Sequence, residues 1–251
     1  MDDIVIALAG QQAELSGLLD GLADDGWRAP TRCVGWNVAD VVLHLAQTDE
    51  MAIASATGRY PQHMAEVAGQ IRPVDSVDAG AALMVERERG IATTELRSRW
   101  STGAARLTET LDAMDLSTRV VWVAGDLSAR TLATTRLAET WIHTGDVAGA
   151  LGVTLAPTDR LRLIARLAWR TVPYAFAAAG RTMTGPVAFQ LSSPSGEAWD
   201  FLPDDPALTT IRGRAEDLCA VAARRVPAVA TSLTGEGPDA DGVLALVRTY
   251  A

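Results

Sequence analysis

The most informative absence in this sequence is lysine, since all 22 basic residues of the 251-residue chain are arginine. Without a lysine amine the protein cannot form a Schiff base with a carbonyl substrate or with pyridoxal phosphate. The lysines of a phosphate-binding P-loop and of a kinase are excluded for the same reason. Lysine codons are rich in A and T, so this absence also indicates a GC-rich genome, such as that of an actinobacterium.

Cysteine and histidine are scarce as well. The two cysteines, Cys33 and Cys219, lie far apart and form no C-x-x-C motif, so a disulfide framework is not expected. The three histidines are His44, His63 and His143. His44 and His143 fall where two helices are predicted and can share a metal ion, whereas His63 has no partner at a readable spacing.

Long apolar runs and an excess of positive charge are missing too. No apolar run reaches the roughly 18 residues that cross a bilayer, and the acidic start Met1-Asp2-Asp3 is unlike a secretory signal. A formal net charge of −9 argues against nucleic acid and anionic membranes as partners. These features predict a soluble cytoplasmic protein. We expect a small molecule as its substrate and a monomer or a homodimer as its oligomeric state.

Hydrophobic spacing of three to four residues predicts four long helices in the first part of the chain. They cover about residues 4–22, 38–57, 78–114 and 132–151. Asn37, with Asp40 three residues later, favours an N-cap that starts the second helix. The third helix is expected to bend near Gly90 or Gly103, and residues 58–77 are expected to form a loop. Four helices with one long connection predict a four-helix bundle.

The pattern changes in the last third of the chain. A fifth helix is predicted from Pro157 to Gly180, with a kink at Pro173. Alternating apolar residues then favour strands, followed by two short helices. These strands and helices are expected near residues 187–191, 198–202, 208–212, 215–225 and 240–250. The fold class is therefore α+β, with a bundle over residues 1–155 and a small α+β domain over 156–251.

Three polar residues on the predicted helices carry the chemistry. Glu139 and His143 are four residues apart, so both side chains lie on one face of the fourth helix. His44 shares a face of the second helix with apolar residues and is expected to point inward. Facing helices of bundles build metal sites from such residues. Two other interpretations stay open: His44 as a hydrogen-bonded core residue, and Glu139 with His143 as a solvent-facing stripe.

Two stretches of sequence resemble a known family. The segment WRAPTRCVGWNVADVVLHLA, from Trp27 to Ala46, is similar to the N-terminal helical domain of the mycothiol-dependent maleylpyruvate isomerase family, which belongs to the DinB-like metal-binding bundles. The segment RLAETWIHTGDVAGALG, from Arg136 to Gly152, is similar to that family's second signature. The resemblance covers about residues 3–152 and, more faintly, the C-terminal part. Residues 44–50 and the fifth helix look closer to an uncharacterised actinobacterial branch than to the isomerase.

The resemblance implies a DinB-like four-helix bundle followed by a small α/β domain. It also implies that His44, Glu139 and His143 hold zinc, with a water in the fourth position, and that mycothiol is a thiol cosubstrate. Two imidazoles and one carboxylate are the ligand set of an open, catalytic site. Fe²⁺, Ni²⁺ and Mn²⁺ are alternatives to Zn²⁺.

Several reactions fit such a metal ion. It can bind a thiolate for isomerisation or transfer, activate water, or polarise a carbonyl group. The sequence thus favours a thiol-dependent isomerase or transferase. The alternatives are a metal-dependent hydrolase, cyclase or oxygenase that tailors a secondary metabolite, and a non-catalytic metal- or ligand-binding protein.

Further residues are candidates for assisting roles. Arg136 is a candidate catalytic residue that binds a substrate carboxylate, with a salt bridge to Glu139 or Asp146 as the alternative. Cys33 is a candidate fourth ligand or reactive thiol, with a small apolar filler as the alternative.

Asp40 is the second candidate catalytic residue. Asp40 or Asp49 can orient His44 by a hydrogen bond, although a helix cap or a surface position also explains each of them. Trp36 and Trp141 are candidates for the pocket wall, with a place in the core as the alternative.

Overall fold

The computed structural model of the protein describes residues 1–68, 76–123 and 125–249. These residues form ten α-helices and six short strands, and the strands of the C-terminal part form a small mixed sheet. The predicted fold class is therefore confirmed. One compact unit ends at Leu155 and a second begins at Ala156. Within the described ranges, no helix combines the length and the apolar character needed to cross a membrane.

The first unit is helical apart from one short hairpin. Its elements are α1 (Asp3–Leu19), α2 (Asp24–Arg28), α3 (Val38–Ala56), α4 (Tyr60–Ala68), α5 (Val77–Glu88), α6 (Thr93–Asp112), β1 (Arg119–Val120), β2 (Leu127–Ser128) and α7 (Ala129–Ala150). Helix α3 packs against α6 and α7, and α1 packs against the same two helices. Each of these four long helices has two long neighbours, as in a four-helix bundle.

Aliphatic and aromatic side chains fill the centre of this bundle. Val41 and Leu45 of α3 are buried with Leu96 and Trp100 of α6 and with Val147 of α7. Burying such side chains contributes about 1.5–3 kcal/mol each. The bundle therefore has an apolar core made of residues other than the candidate metal ligands.

A capping box starts α3. The Asn37 side chain accepts a hydrogen bond from the backbone N–H of Asp40 at 2.9 Å, and the Asp40 carboxylate accepts one from the Asn37 N–H at 3.1 Å. This confirms the predicted N-cap. It fixes the first turn of the helix that presents His44 one turn further on.

The prediction of a loop over residues 58–77 is wrong in both of the segments that the structure describes. Residues 60–68 form α4, which carries His63, and α5 begins at Val77; residues 69–75 of the predicted loop lie outside the described residues. Pro61 favoured the prediction of a loop, because proline disrupts the interior of a helix. It sits in the first turn of α4, where a missing N–H breaks no intrahelical hydrogen bond.

The predicted third helix is two helices, because α5 ends before Gly90 and α6 begins after it. Gly90 has a φ of +94°, a left-handed conformation that ends helices. Gly103, the other expected bend, lies inside α6. Helix α7 begins at Ala129, three residues before the predicted start of the fourth helix. The Ser128 hydroxyl accepts a hydrogen bond from the Thr131 N–H at 3.2 Å and caps α7.

The second unit packs three helices around a four-stranded sheet. Its elements are α8 (Leu161–Ala178), β3 (Val187–Ser192), β4 (Ala198–Phe201), β5 (Thr209–Arg214), α9 (Ala215–Ala222), β6 (Thr234–Glu236) and α10 (Ala240–Leu246). The strand order is β4-β3-β5-β6, with β3 and β5 parallel and the other pairs antiparallel. Strand β6 was not predicted, because its sequence, Thr-Gly-Glu, has no alternation of apolar residues.

Candidate metal centre

Helices α3 and α7 bring His44, Glu139 and His143 together inside the bundle. Nε2 of His44 and Nε2 of His143 each lie 3.7 Å from Oε2 of Glu139. One ligand atom from each of the three residues lies within 4.8 Å of the other two. Two imidazoles and a carboxylate, distant along the chain, thus converge on one point.

The spacing of these atoms fits a shared metal ion better than direct contact. At 3.7 Å the nitrogen–oxygen separations exceed those of ordinary hydrogen bonds, which are about 2.7–3.2 Å. Ligand atoms about 2.0–2.1 Å from a tetrahedral zinc lie roughly 3.3 Å apart. The residues therefore fit a divalent ion with only small movements of their side chains.

The protonation states also suit a metal ligand set. Burial lowers the pKa of His44, which favours the neutral imidazole that metals bind. Burial alone raises the pKa of Glu139, but contacts with His44 and His143 and the charge of Arg136 bring it down to about 2. Glu139 is therefore a carboxylate at neutral pH.

Asp146 holds the ring of His143 from the side opposite Glu139. Its Oδ2 lies 3.0 Å from Nδ1 of His143, and its side chain is 1% exposed. A carboxylate on the outer nitrogen commonly orients a metal-binding histidine. This role of Asp146 was not predicted from the sequence, although its position three residues after His143 on the same helix face points to it.

Aromatic rings border the two histidines. The Trp36 ring lies 5.2 Å from that of His44, and the two imidazole rings lie 5.0 Å apart in an edge-on arrangement. Trp36 is half-buried and packs against the apolar core of the bundle as well as lying beside His44, so its position agrees with both sequence interpretations. Trp141 is also half-buried on α7.

Arg136 forms a buried ion pair that the sequence analysis did not foresee. Its Nε donates to Asp49 Oδ1 at 3.1 Å, and its Nη2 donates to Thr48 Oγ1 at 2.8 Å. The expected partners were Glu139 and Asp146, because helical spacing reveals only neighbours on the same helix. Asp49 comes from α3, one helix away.

Asp40 and Asp49, the two residues considered for orienting His44, make their contacts elsewhere. The Asp40 carboxylate caps α3 and pairs with Arg89, whose Nε donates to it at 2.9 Å. The Asp49 carboxylate pairs with Arg136. The structure therefore places neither carboxylate against the His44 imidazole in any of its described contacts.

Cys33 lies on the outer side of His143. Its thiol donates to Oδ2 of Asp146 at 3.2 Å, and Cys33, His143 and Asp146 form a second close group of ligand-type atoms. Cys33 therefore contacts the Asp146 carboxylate behind His143. The candidate metal ligands His44, Glu139 and His143 form a separate close group, to which Cys33 does not belong. Cys33 also packs as a partly buried side chain against the apolar core of the bundle, so its place agrees with a small filler that has one polar contact.

Residues 8–148 match the sequence profile of the mycothiol maleylpyruvate isomerase N-terminal domain. The match covers more than half of the chain and includes both helices that carry the ligand-type residues. The chain belongs to this family. The resemblance seen in the two sequence stretches is confirmed, and the match spans nearly all of the helical first unit.

Relatives and solved structures extend the likeness beyond this domain. Uncharacterized proteins from two strains of Mycobacterium tuberculosis are each 33% identical over 248 residues, which is 98% of this chain and 95% of theirs. Crystal structures of the mycothiol-dependent maleylpyruvate isomerase, one of them a histidine-to-alanine mutant, have a TM-score of 0.62. They cover 95% of both chains at 17% and 18% identity, so they share the fold. The mycobacterial relatives agree with the actinobacterial origin that the missing lysine indicated.

Proposed function

We propose that this protein is a metal-dependent enzyme of the maleylpyruvate isomerase type. It binds one zinc ion through His44, Glu139 and His143. It uses the low-molecular-weight thiol mycothiol in an isomerisation or a transfer reaction of a small unsaturated acid. The observation that carries this proposal is the convergence of two imidazole nitrogens on one carboxylate oxygen. Membership of the mycothiol maleylpyruvate isomerase family supports the choice of thiol and reaction type.

The charge of the ligand set fits a catalytic role. Two neutral imidazoles and one carboxylate leave a divalent ion with a net charge near +1, and three protein ligands leave room for an exogenous one. Such an ion, when bound, lowers the pKa of a thiol and stabilises its thiolate.

Access from outside supports the same role. The side chains of His44, Glu139 and His143 are 11%, 21% and 9% exposed, so the point on which they converge is recessed and not sealed. A purely structural zinc site closes with four protein ligands. Trp36 beside His44 adds an apolar wall against which a small substrate can pack.

The buried guanidinium of Arg136 contributes to the field around the centre. It stabilises the ionised form of Glu139. Because Arg136 is itself paired with Asp49, we assign it to shaping the charge of the centre and not to gripping a substrate carboxylate.

The test begins with elemental analysis of protein purified without added metal. We expect about one zinc per chain, loss of the metal in His143→Ala, and retention in His63→Ala. His63 is the matched control, because it is the remaining histidine and lies on α4, outside the group of three ligand-type residues.

Calorimetric titration with mycothiol and with glutathione, followed by an isomerisation assay on maleylpyruvate, tests the reaction. We expect mycothiol to bind the zinc-loaded protein and support turnover. Iron with oxygen consumption would instead indicate an oxygenase, and zinc without thiol binding would indicate a metal-binding protein. Either result, or the absence of metal, overturns the proposal.

A further inference from the structure

The Asp146 carboxylate collects donors from two parts of the first unit. Its Oδ2 faces both Nδ1 of His143 at 3.0 Å and Sγ of Cys33 at 3.2 Å, and its Oδ1 lies 3.9 Å from Nε of Arg32. The Asp146 side chain is 1% exposed. A buried carboxylate needs such donors, because burial without them costs several kcal/mol.

These contacts decide which nitrogen of His143 is free. An ionised carboxylate only accepts hydrogen bonds, so Nδ1 of His143 carries the proton that faces Asp146. When the ring carries this one proton, the lone pair of Nε2 is available, and this is the nitrogen that faces Glu139. The contact with Asp146 therefore favours this tautomer and this orientation of the ring.

The residues before α3 reach both histidines. We call residues 31–36 the cysteine loop; it is closed by a hydrogen bond from the Thr31 N–H to the Trp36 carbonyl at 3.0 Å. Cys33 donates to Asp146, which in turn contacts His143, and the Trp36 ring lies in a tilted arrangement 5.2 Å from that of His44. One short loop thus lies beside His44 and reaches His143 by way of Asp146.

We propose that Asp146 is a positioning residue that fixes the tautomer and direction of His143, and that Cys33 and Arg32 hold Asp146 in place through the cysteine loop. The part of this inference that concerns metal affinity rests on the proposed function. The part that concerns the tautomer does not, because it is a property of the metal-free chain.

Nitrogen-detected NMR of the imidazole groups tests the tautomer directly. The chain has only three histidines, so the spectrum holds three imidazole signals. In metal-free wild type we expect His143 as the Nδ1–H tautomer, and in Asp146→Ala we expect a shift toward the Nε2–H form. Asp239→Asn is the control, since Asp239 is a buried carboxylate of the second unit that accepts from Thr184.

Zinc affinity, measured by competition with a chelator, tests the consequence. We expect Asp146→Ala to weaken binding by about 10- to 100-fold, and Asp146→Asn to weaken it less, because the amide oxygen still accepts a hydrogen bond. An imidazole spectrum and a zinc affinity like those of wild type in Asp146→Ala would overturn the positioning role.

The cysteine loop is tested by the two cysteines of the chain. Cys33→Ala is expected to weaken zinc binding by less than Asp146→Ala does, and Cys219→Ala, in the second unit, is expected to leave it unchanged. Equal affinities of Cys33→Ala and wild type would overturn the role of the loop. If wild type binds no zinc, the proposed function fails, whereas the imidazole spectra still decide whether Asp146 positions His143.

Discussion

Arg136 and Asp49 show how a buried pair is held at the edge of the centre. Both side chains are almost fully buried, at 2% and 1% exposed, and burial raises the pKa of Asp49 in spite of the neighbouring guanidinium. We expect Arg136→Met to lower the free energy of unfolding of the metal-free protein by about 3–5 kcal/mol, because it leaves a buried carboxylate without a partner. Urea unfolding at pH 7 measures this loss.

The pH dependence of this loss in unfolding free energy tests whether the unpaired Asp49 carboxylate causes it. As the pH falls, Asp49 of the variant takes up a proton and no longer needs a cation, so the difference between variant and wild type should shrink toward acid pH. Arg130→Met is the control, since Arg130 is half-exposed and pairs with Asp2 and Asp3 at the surface. A similar loss in both variants, or a loss that is constant with pH, would contradict this account.

The two thiols should differ in reactivity in the native protein. Burial raises the pKa of Cys219, whose side chain is inaccessible, whereas Cys33 is half-buried. Thiolates and not thiols react, so we expect a thiol reagent at pH 8 to label one cysteine in native protein and two after unfolding. Native Cys33→Ser should take up no label, and rapid labelling of that variant would show that Cys219 is accessible.

At the scale of residues, the sequence predicted what lies on one helix and missed what lies between helices. Spacing along α7 placed Glu139 and His143 on one face, and the structure brings His44 to them. The partner of Arg136 was missed because Asp49 belongs to α3, and no periodicity links the two helices. Asp146 was considered as a partner of Arg136 on the same helix, whereas Cys33, which donates to it, lies 113 positions away.

At the scale of elements, residues that cap helices could be recognised in the sequence, whereas the backbone conformations of proline and glycine residues could not. The Asn37 cap gave the start of α3, since its side-chain chemistry is local. The helix α4 was missed because Pro61 looks like a loop residue until its place in the first turn is known. The split of α5 from α6 depends on the left-handed φ of Gly90, which a glycine permits but does not require.

Gly237, just after β6, gives an element-scale prediction. It has a φ of +105°, and a Cβ there would lie 2.1 Å from the Leu208 carbonyl oxygen and 2.8 Å from Cα of Thr209. We expect Gly237→Ala to lower the free energy of unfolding by at least about 2 kcal/mol, since backbone atoms of the sheet must move. Thermal unfolding of the purified variant measures the effect.

Gly196 supplies the matched control for the same substitution. Its φ is +90°, but nothing lies within 4 Å of an added Cβ, so Gly196→Ala carries the conformational cost alone, about 1–2 kcal/mol. Equal losses in the free energy of unfolding of the two variants would contradict this prediction. They would mean that the close contact between the added Cβ and the Leu208 carbonyl oxygen relaxes without destabilising the protein.

At the scale of the whole molecule, most of the packing that holds the bundle together involves residues other than the three candidate ligands. The bundle core is apolar and nearly complete without the candidate ligands, and the second unit has its own sheet and core. Alternating and helical apolar patterns encode this layout, which is why the fold class was predictable from the sequence. The reaction was not, since one ligand set serves several chemistries.

This separation predicts what metal removal does to the fold. We expect chelation of wild type and the His143→Ala substitution to leave the far-UV circular dichroism at 222 nm nearly unchanged, because the core of the bundle needs no ion. Added zinc should still stabilise wild type by mass action, by about 2.7 kcal/mol at a free concentration one hundred times Kd, and His143→Ala should show no such gain. His63→Ala should follow wild type in both measurements. Collapse of the helical signal on chelation would instead mean that the ion builds the bundle, and the open, reactive centre inferred from His44, Glu139 and His143 would have to give way to a structural one.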